Sequence, residues 1–351
     1  MKSGADRKTT ERESNFEAMR IVCALMIVFL HANFWTLGRP TWAMLIAQPM
    51  STLLRIVMQC ICIPSTYAFI LISGYFGVRI KIRSVANLLF LLCFWKGIML
   101  GKQVILHGWE WQMLKELNPF IGWFIPAYIA LLCFVPALNS FANSIDRIRL
   151  GNYLKVLLPV VMVCDCFYVI DCFNGGYSAL GLMAAYLLGM YLGKDRGNMI
   201  SINGKDSRRP WFYVFLYLAL VLLWSGVYCF VLLLFHNNVQ IESRLLNSLI
   251  MYTSPIAFAG SLILFLTFKS ITMKSRIINW LALSSFPIIG YHLYFKFQGM
   301  IHLIFDRFDG VICLGALFSW GLLVSFAIVV VDQVRILFWQ KFLRKTFRDV
   351  N

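Results

Sequence analysis

The chain has 351 residues, of which 60% are hydrophobic, 16% aromatic and only 14% charged, whereas soluble domains contain about 25% charged residues. A water-soluble core cannot bury that much apolar surface, so the composition excludes a soluble globular protein. The 32 Lys and Arg outnumber the 16 Asp and Glu, for a net charge of +16, and they lie in short runs between apolar stretches. This distribution predicts a membrane partner and no nucleic acid.

Ten apolar stretches have the length of membrane-crossing helices. In chain order they are 16–36, 56–78, 85–106, 119–140, 153–171, 177–193, 210–236, 245–268, 277–297 and 311–333. No loop between them has room for a soluble domain. The sequence therefore predicts an all-α, polytopic transmembrane helical bundle of about ten helices. Its transmembrane domain spans 16–335, between the tails 1–15 and 336–351.

Lys and Arg are divided unequally between the two sides that ten crossings create. Most lie in the N-terminal segment 1–20 and in every second segment after it: 79–83, 147–155, 194–209, 269–276 and 335–351. The other side has few: Arg39, Arg55, Lys102, Lys115, Arg244, Lys296 and Arg307. The positive-inside rule then predicts that both termini, including the basic C-terminal tail, are cytoplasmic.

The first stretch contains polar residues that are costly in lipid. Arg20 and His31 are separated by close to three helical turns, about 16 Å of rise, so they share one face. Glu17 precedes Arg20 by three residues, which is pairing distance. In one interpretation Arg20 reaches the inner headgroups, Glu17 pairs with it and His31 only hydrogen-bonds a neighbouring helix. In the other, this face carries chemistry.

Several motifs follow one another along nearly the whole chain. Arg20 and His31 enclose ten residues, and the later motifs are Ile72-Ser73-Gly74-Tyr75-Phe76 with Arg79, Trp123-Phe124-Ile125-Pro126-Ala127-Tyr128 with Pro136 and Asn139, Gly175-Gly176-Tyr177-Ser178 with Tyr186-Leu187-Leu188-Gly189, Tyr252-Thr253-Ser254-Pro255, and Ser284-Ser285-Phe286 with His292. Their order and spacing resemble the acyltransferase-3 family of integral membrane O-acyltransferases, in its stand-alone form without a hydrolase-like domain. Pro287, Ile289 and Gly290 depart from the family pattern, which leaves the role of His292 open.

The resemblance implies transfer of an acyl group, most often acetyl, from cytoplasmic acetyl-CoA or another short acyl-CoA. The acceptor it implies is a hydroxyl of a glycan or lipid-linked sugar, and the location a bacterial-type inner (plasma) membrane. No metal is expected. His31, Arg20 and Glu17 are the candidate catalytic residues. A neutral histidine can take the proton of a sugar hydroxyl as the hydroxyl attacks the thioester, and His31 is the candidate for this general base.

The donor site is expected at the inner membrane face, because coenzyme A enters from the cytoplasm and carries several negative charges. Arg79, Lys81 and Arg83 are the candidate phosphate ligands. Their alternating spacing puts all three on one side if the segment is extended and splays them if it is helical. The positive-inside rule explains such a cluster equally well without a ligand. The resemblance adds Ser73 and Tyr75 to the donor site.

The candidate acceptor-binding residues are Trp123, His292 and Asp165. Asp165 is interpreted as the only deep carboxylate of the chain. It is placed either to orient His31 or to neutralise Lys96, and we favour an ion pair with Lys96 because an unpaired buried lysine is costly.

Two other classes of function remain. A transporter or flippase for a glycan precursor would show internal repeats and paired Gly/Pro-broken helices, and the two halves of the sequence show no convincing match. A structural scaffold leaves Arg20 and His31 on one helix face unexplained. The scattered cysteines are interpreted as small apolar residues, without a metal site or disulfide framework. The acceptor, the acyl group and the oligomeric state are not specified by the sequence.

Overall fold

The computed structural model describes residues 13–118, 122–166, 173–194, 210–294, 297–308 and 310–343, and every regular element in these ranges is helical. The α-helices are α1 (Ser14–Leu30), α2 (Trp42–Ala47), α3 (Pro49–Cys62), α4 (Ser65–Phe76), α5 (Ile82–His107), α6 (Phe124–Ser144), α7 (Arg147–Cys166), α8 (Ala179–Gly193), α9 (Pro210–Phe235), α10 (Val239–Ile250), α11 (Pro255–Lys269), α12 (Arg276–Leu281), α13 (Ser285–Tyr291), α14 (Phe297–Arg307) and α15 (Gly310–Phe338). The predicted all-α class is confirmed.

Seven helical stretches of the described residues are long and apolar enough to cross a membrane: Ser14–Trp35, Pro49–Phe76, Ile82–His107, Phe124–Ser144, Pro210–Phe235, Val239–Lys269 and Gly310–Phe342. The protein is therefore multi-pass in character. Three further predicted stretches fall outside this set for visible reasons. α7 carries several charged residues, α8 has only 15 residues, and the segment after α11 is broken into the short helices α12 and α13.

The predicted domain boundaries differ slightly from the helix ends. α1 begins at Ser14, inside the predicted tail 1–15, and helical structure continues past residue 335 to Leu343. The basic residues of 1–12, 195–209 and 344–351, together with Lys296, lie outside the described residues.

α1 lies among many helices, with contacts to α3, α4, α11, α13 and α15. α4 is its most enclosed neighbour, since every residue from Ser65 to Gly74 is buried. A helix that is apolar on all sides belongs in the interior of a bundle. The two helices therefore form the centre around which the polar residues of α1 are placed.

α4 and α8 approach each other backbone to backbone. A methyl group added at Gly74 would lie 2.1 Å from the Tyr186 carbonyl oxygen, and one added at Gly189 would lie 2.4 Å from that of Leu71. Glycine is needed at both positions, as at the small-residue interfaces of membrane helices. Two of the glycines in the sequence motifs, Gly74 and Gly189, thus serve close helix packing.

The loop after α4 is held by a closed hydrogen-bond ring. The Asn139 amide donates to the Val78 carbonyl at 2.8 Å, the Tyr186 hydroxyl donates to the Asn139 side-chain oxygen at 2.8 Å, and the Val78 N–H donates to the Tyr186 hydroxyl at 3.1 Å. This ring ties α6 and α8 to the loop that carries Arg79 and Lys81.

The bundle has two ends, which we name after the first and last residues of the helical stretch that begins with α1. Phe16 packs against Tyr75 and Phe76 with ring centroids 5.1 Å apart, so the end of α4 lies at the Ser14 end. α2 and the start of α3 lie at the opposite, Trp35 end, because they follow directly from Trp35 along the chain.

Candidate active site

His31 begins a π-helical turn, His31–Trp35, that follows α1. Asn33 within the turn has φ −93° and ψ −105°, which departs from helical geometry. The Thr36 hydroxyl donates a hydrogen bond of 2.7 Å to the His31 carbonyl oxygen. The irregular turn thus has a side-chain partner for this backbone group. π-helical turns inside α-helices occur frequently at functional sites.

His31 is hydrogen-bonded to His292. The two rings are stacked with centroids 4.9 Å apart, and Nδ1 of half-buried His31 lies 2.8 Å from Nε2 of fully buried His292. His292 in turn places its Nδ1 2.8 Å from the Ile288 carbonyl oxygen. A residue whose role the sequence left open therefore contacts the residue predicted to be the general base.

The hydrogen bonds assign the proton positions of the pair. A carbonyl oxygen only accepts, so His292 Nδ1 must carry the proton that it donates to Ile288. In neutral His292 the other nitrogen, Nε2, is then an acceptor, so His31 Nδ1 must be the donor to it. Neutral His31 consequently has its lone pair on Nε2, and among the described residues that nitrogen has no hydrogen-bond partner. This is the tautomer that a general base requires.

Arg20 and Glu17 form the predicted i, i+3 ion pair. Arg20 Nη1 lies 2.7 Å from Glu17 Oε1, with side-chain exposures of 28% and 7%. α1 is a continuous α-helix from Ser14 to Leu30, so Arg20 and His31 share one face as predicted. The Arg20 guanidinium also lies within electrostatic range of the Tyr128 hydroxyl, which neighbours Ser73. Arg20 and Ser73 thus belong to one region.

Tyr75 belongs to the same end of the bundle. Lys269 Nζ lies 5.8 Å from the centre of its ring, and Phe265 packs against that ring edge-on. The predicted donor residues Ser73 and Tyr75 are therefore accompanied by two cationic side chains, Arg20 and Lys269.

The predicted phosphate ligands are divided between a loop and a helix. Arg79 is an exposed loop residue, as is Lys81, whose backbone is extended, whereas Arg83 is half-buried in the first turn of α5. All three residues would share a side only in an extended segment, and this condition is not met because Arg83 lies in a helix.

Trp123 lies in a cluster of aromatic rings at the Trp35 end. Its ring centroid is 5.0 Å from that of Tyr177 and 5.4 Å from that of Tyr252, and the two tyrosines are 4.9 Å apart. Ile125, two residues after Trp123, approaches Gly290, two residues before His292: a methyl group added at Gly290 would lie 3.4 Å from Ile125 Cδ1. The cluster and His292 are therefore at a similar level along the bundle. The cluster offers flat apolar ring faces at this end of the bundle.

The predicted ion pair between Asp165 and Lys96 is wrong. Asp165 is buried and accepts instead from the Gly175 N–H at 3.2 Å and the Thr253 hydroxyl at 2.6 Å. Lys96 donates to the Tyr294 hydroxyl at 3.3 Å. The prediction used depth in the membrane alone, and depth does not say which way a side chain faces around its helix.

Asp165 also does not orient His31, whose Nδ1 partner is His292. Its two partners, Gly175 and Thr253, adjoin the aromatic cluster, and the Tyr252 N–H donates to the Gly175 carbonyl at 3.0 Å. Asp165 therefore positions the loops that carry Tyr177 and Tyr252.

A second deep carboxylate, Asp332, was missed, so Asp165 is not the only one. Asp332 is fully buried and binds Arg335 through Nε at 2.6 Å and Nη2 at 3.0 Å. It also accepts from the Trp95 indole at 3.1 Å and from the Ser284 hydroxyl at 2.9 Å. The i, i+3 spacing of Asp332 and Arg335 is the same signal that identified Glu17 and Arg20.

Sequence reasoning also missed a polar cluster beside the π-helical turn. The Asn33 amide donates to the Arg55 carbonyl at 2.7 Å and to Gln59 Oε1 at 3.3 Å, and it accepts from Arg55 Nε at 3.1 Å. The sequence alone identifies Arg55 only as a basic residue of the outer side. It is buried, and it fixes the irregular turn to α3.

Comparison of the chain with protein-family models, with curated proteins and with solved structures finds no match.

Proposed function

We propose that this protein is a membrane-embedded O-acyltransferase that transfers an acyl group, most simply acetyl, from cytoplasmic acyl-CoA to a hydroxyl of a glycan or lipid-linked sugar. The observation that carries the proposal is the pair of His31 and His292, which leaves a lone pair on His31 Nε2. A general base needs a free ring nitrogen with a lone pair and a fixed tautomer, and the contact with His292 supports both for His31.

The chemistry requires one base and one leaving thiolate. His31 Nε2 takes the proton of the acceptor hydroxyl as the hydroxyl oxygen bonds to the thioester carbonyl carbon. The carbon–sulfur bond then breaks, and the coenzyme A thiolate takes the proton back from His31. While His31 is protonated, its Nδ1–H remains hydrogen-bonded to His292 Nε2, and this bond is strengthened by the charge. The products are the acylated acceptor and free coenzyme A, and His31 is returned to its neutral form.

The donor end of the site is proposed at the Ser14 end, which the charge distribution predicts to be cytoplasmic. Positive charge at this end is supplied by Arg20, by Lys269 and by the loop after α4, which carries Arg79 and Lys81. The predicted donor residues Ser73 and Tyr75 lie close to Arg20 and Lys269. The distance of about three helical turns between Arg20 and His31 is long enough for the extended pantetheine arm of coenzyme A to lie between them. We propose accordingly ten crossings with both termini in the cytoplasm of a bacterial-type inner membrane.

The acceptor end is proposed at the Trp35 end, beside Trp123, Tyr177 and Tyr252. Flat aromatic faces suit the apolar faces of sugar rings, and amphipathic rings such as these suit a membrane boundary. Asp165 supports this cluster through Gly175 and Thr253.

The alternative function is transport, and a transporter is expected to contain broken transmembrane helices. The span Pro49–Phe76 is interrupted at Ile63 and Pro64. However, the carbonyls next to the break are bound within the protein. Tyr217 donates to Ile61 at 2.6 Å and Ser261 donates to Pro64 at 2.7 Å. A transport site uses such carbonyls for its cargo, so this break favours a structural role and acyl transfer remains the better proposal.

The decisive experiment is to replace His31 by Ala and supply isotope-labelled acetyl-CoA to membranes that contain the native acceptors. We expect label transfer to glycans, and release of free coenzyme A, to fall by about 100- to 10,000-fold, as for loss of a general base. His302→Ala is the matched control, because His302 is an exposed histidine of α14. Both variants should insert at wild-type levels.

Retention of near-full transfer by His31→Ala would contradict the proposal. Equal loss in His302→Ala would show that the assay reports insertion and not catalysis. Mass spectrometry of surface glycans with and without the protein then identifies the acceptor, because a missing acyl mass reveals both the group and the sugar.

A further inference from the structure

A cavity of about 400 Å³ lies at the Trp35 end of the bundle, apart from the histidine pair. Its wall includes Gln48, Ser51, Thr52 and Arg55. These residues follow one another at i, i+3, i+4 and i+7, so they form one polar stripe along the first two turns of α3. Phe305 of α14 lies across from them.

Arg55 is the charged group of this cavity, and its own charge is not neutralised. Only 4% of the residue is exposed. Its Nε donates to Asn33 at 3.1 Å and its Nη2 to the Gly38 carbonyl at 2.5 Å, while the Phe305 ring centre is 5.2 Å from its Cζ. Both hydrogen-bond acceptors are neutral. In the described part of the chain, Arg55 Nη1 has no hydrogen-bond partner and no carboxylate forms an ion pair with Arg55.

A buried cation without a counter-ion is costly, and an anion in the cavity would remove that cost. The start of α3 adds to the attraction. Its first intrahelical bond runs from the Thr52 N–H to the Gln48 carbonyl at 3.0 Å, so the preceding N–H groups of the helix point out of its positive end. The Ser51 hydroxyl lies on the same stripe as Arg55, whereas the Thr52 hydroxyl already donates to the Met44 carbonyl at 3.0 Å. The arrangement combines a guanidinium, a helix N-terminus and the Ser51 hydroxyl, which together suit a phosphate.

The surroundings of the cavity are apolar. Met44, Ile46, Met50 and Leu53, all on α2 and the start of α3, are exposed large side chains that a membrane would cover. A free inorganic anion gains nothing from such a rim, whereas an anion attached to a hydrocarbon chain does.

We propose that this cavity binds the phosphate group of a membrane amphiphile, with Arg55 as its counter-ion. The phosphate ester is the shared chemistry of two sources, a bilayer phospholipid headgroup and a polyprenyl phosphate that carries a sugar. The site depends on the geometry of α3 and not on the acyl transfer proposed above, so either proposal can fail without the other.

Native mass spectrometry of the full chain in detergent tests the site with defined probes. Farnesyl phosphate should bind at least about tenfold more tightly than uncharged farnesol, since a charge-assisted contact is gained. It should also bind more tightly than inorganic phosphate, because the hydrocarbon chain gains contact with the rim. Dihexanoyl phosphatidylglycerol is the phospholipid probe. Tighter binding of farnesyl phosphate assigns the site to a polyprenyl carrier, and tighter binding of phosphatidylglycerol assigns it to bilayer lipid.

Arg55→Gln should weaken binding of the preferred probe about 10- to 100-fold. Arg307→Gln is the matched control, since it removes the same charge from an exposed position on α14 outside the cavity. A second pair of variants covers the case in which loss of Arg55 prevents folding. Ser51→Asp places a carboxylate one helical turn from Arg55 and should displace the anion, whereas the neutral Ser51→Asn should not.

Three results would overturn the proposal. They are equal binding of farnesyl phosphate and farnesol, binding of inorganic phosphate as tight as that of both amphiphiles, and probe binding that is unchanged in Arg55→Gln and in Ser51→Asp.

Discussion

Replacing His292 by Ala should lower kcat and leave the KM for acyl-CoA unchanged. The sequence suggested that His292 binds the acceptor, but it is buried and its two ring nitrogens are engaged by His31, at 2.8 Å, and by the Ile288 carbonyl. We therefore expect His292 to be a positioning residue that acts through its hydrogen bond to His31. When His31 is protonated in the transition state, this bond becomes charge-assisted and contributes about 1.5–3 kcal/mol. Since each 1.36 kcal/mol changes a rate about tenfold, kcat should fall about 10- to 150-fold. The loss of the base itself in His31→Ala should be larger.

The conservative variant His292→Gln separates positioning from packing. The Gln amide oxygen can accept from His31 Nδ1 and its NH₂ group remains a donor, so it can preserve the His31 tautomer. We expect His292→Gln to recover most of the activity that His292→Ala loses. The assay is release of coenzyme A by purified protein, with its cysteines blocked beforehand, across a range of acetyl-CoA concentrations.

Two outcomes would refute this reasoning. One is wild-type kcat in a His292→Ala protein that inserts normally. The other is a His292→Gln variant as inactive as His292→Ala, which would mean that the activity lost in His292→Ala does not come from the missing hydrogen-bond acceptor.

The remaining predictions concern the donor. Arg20→Ala should raise the KM for acyl-CoA more than His31→Ala disturbs donor binding, because Arg20 lies towards the Ser14 end, where we propose that the donor enters. Equal donor affinity in wild type and Arg20→Ala would count against this role. The double change of Arg79 and Arg83 to Gln should weaken donor binding and flatten its salt dependence, since fewer charge contacts remain to be screened. Cysteine accessibility at both faces checks that topology is kept, and unaltered binding at low salt would leave the cluster as a topology signal.

Local patterns in the sequence predicted local structure well. The all-helical fold follows from the length of the apolar runs, and the Glu17–Arg20 ion pair follows from i, i+3 spacing within one helix. Both depend on residues close together in the chain. The same rule applied to the last apolar stretch would have found Asp332 with Arg335.

Contacts between distant segments were not predictable in the same way. His31 and His292 were both singled out, but they are 261 residues apart and nothing in either helix indicates that they meet. The π-helical turn depends on Asn33 being held by Arg55 and Gln59 of another helix. Hydropathy gives the depth of a residue, whereas partners also depend on rotation around the helix axis, and this is why the pairing of Asp165 was wrong.

Asp332 is a fully buried carboxylate that sequence reasoning missed, and its contacts argue for a structural role. It accepts from Arg335 through two nitrogens and from Trp95 and Ser284, so its lone pairs are largely taken and it is not free to act on a substrate. Asp332→Ala leaves Arg335, which is only 3% exposed, without its counter-ion. Breaking a buried pair in this way costs about 3–5 kcal/mol.

The double variant Asp332→Leu/Arg335→Met removes both charges and should be much less harmful, because replacing a buried ion pair by apolar groups is often close to neutral. Thermal unfolding in detergent should therefore show a large fall in Tm for Asp332→Ala and recovery in the double variant, with coenzyme A release retained in proportion to folded protein. A double variant that is stable but inactive would instead place Asp332 or Arg335 in the catalytic machinery.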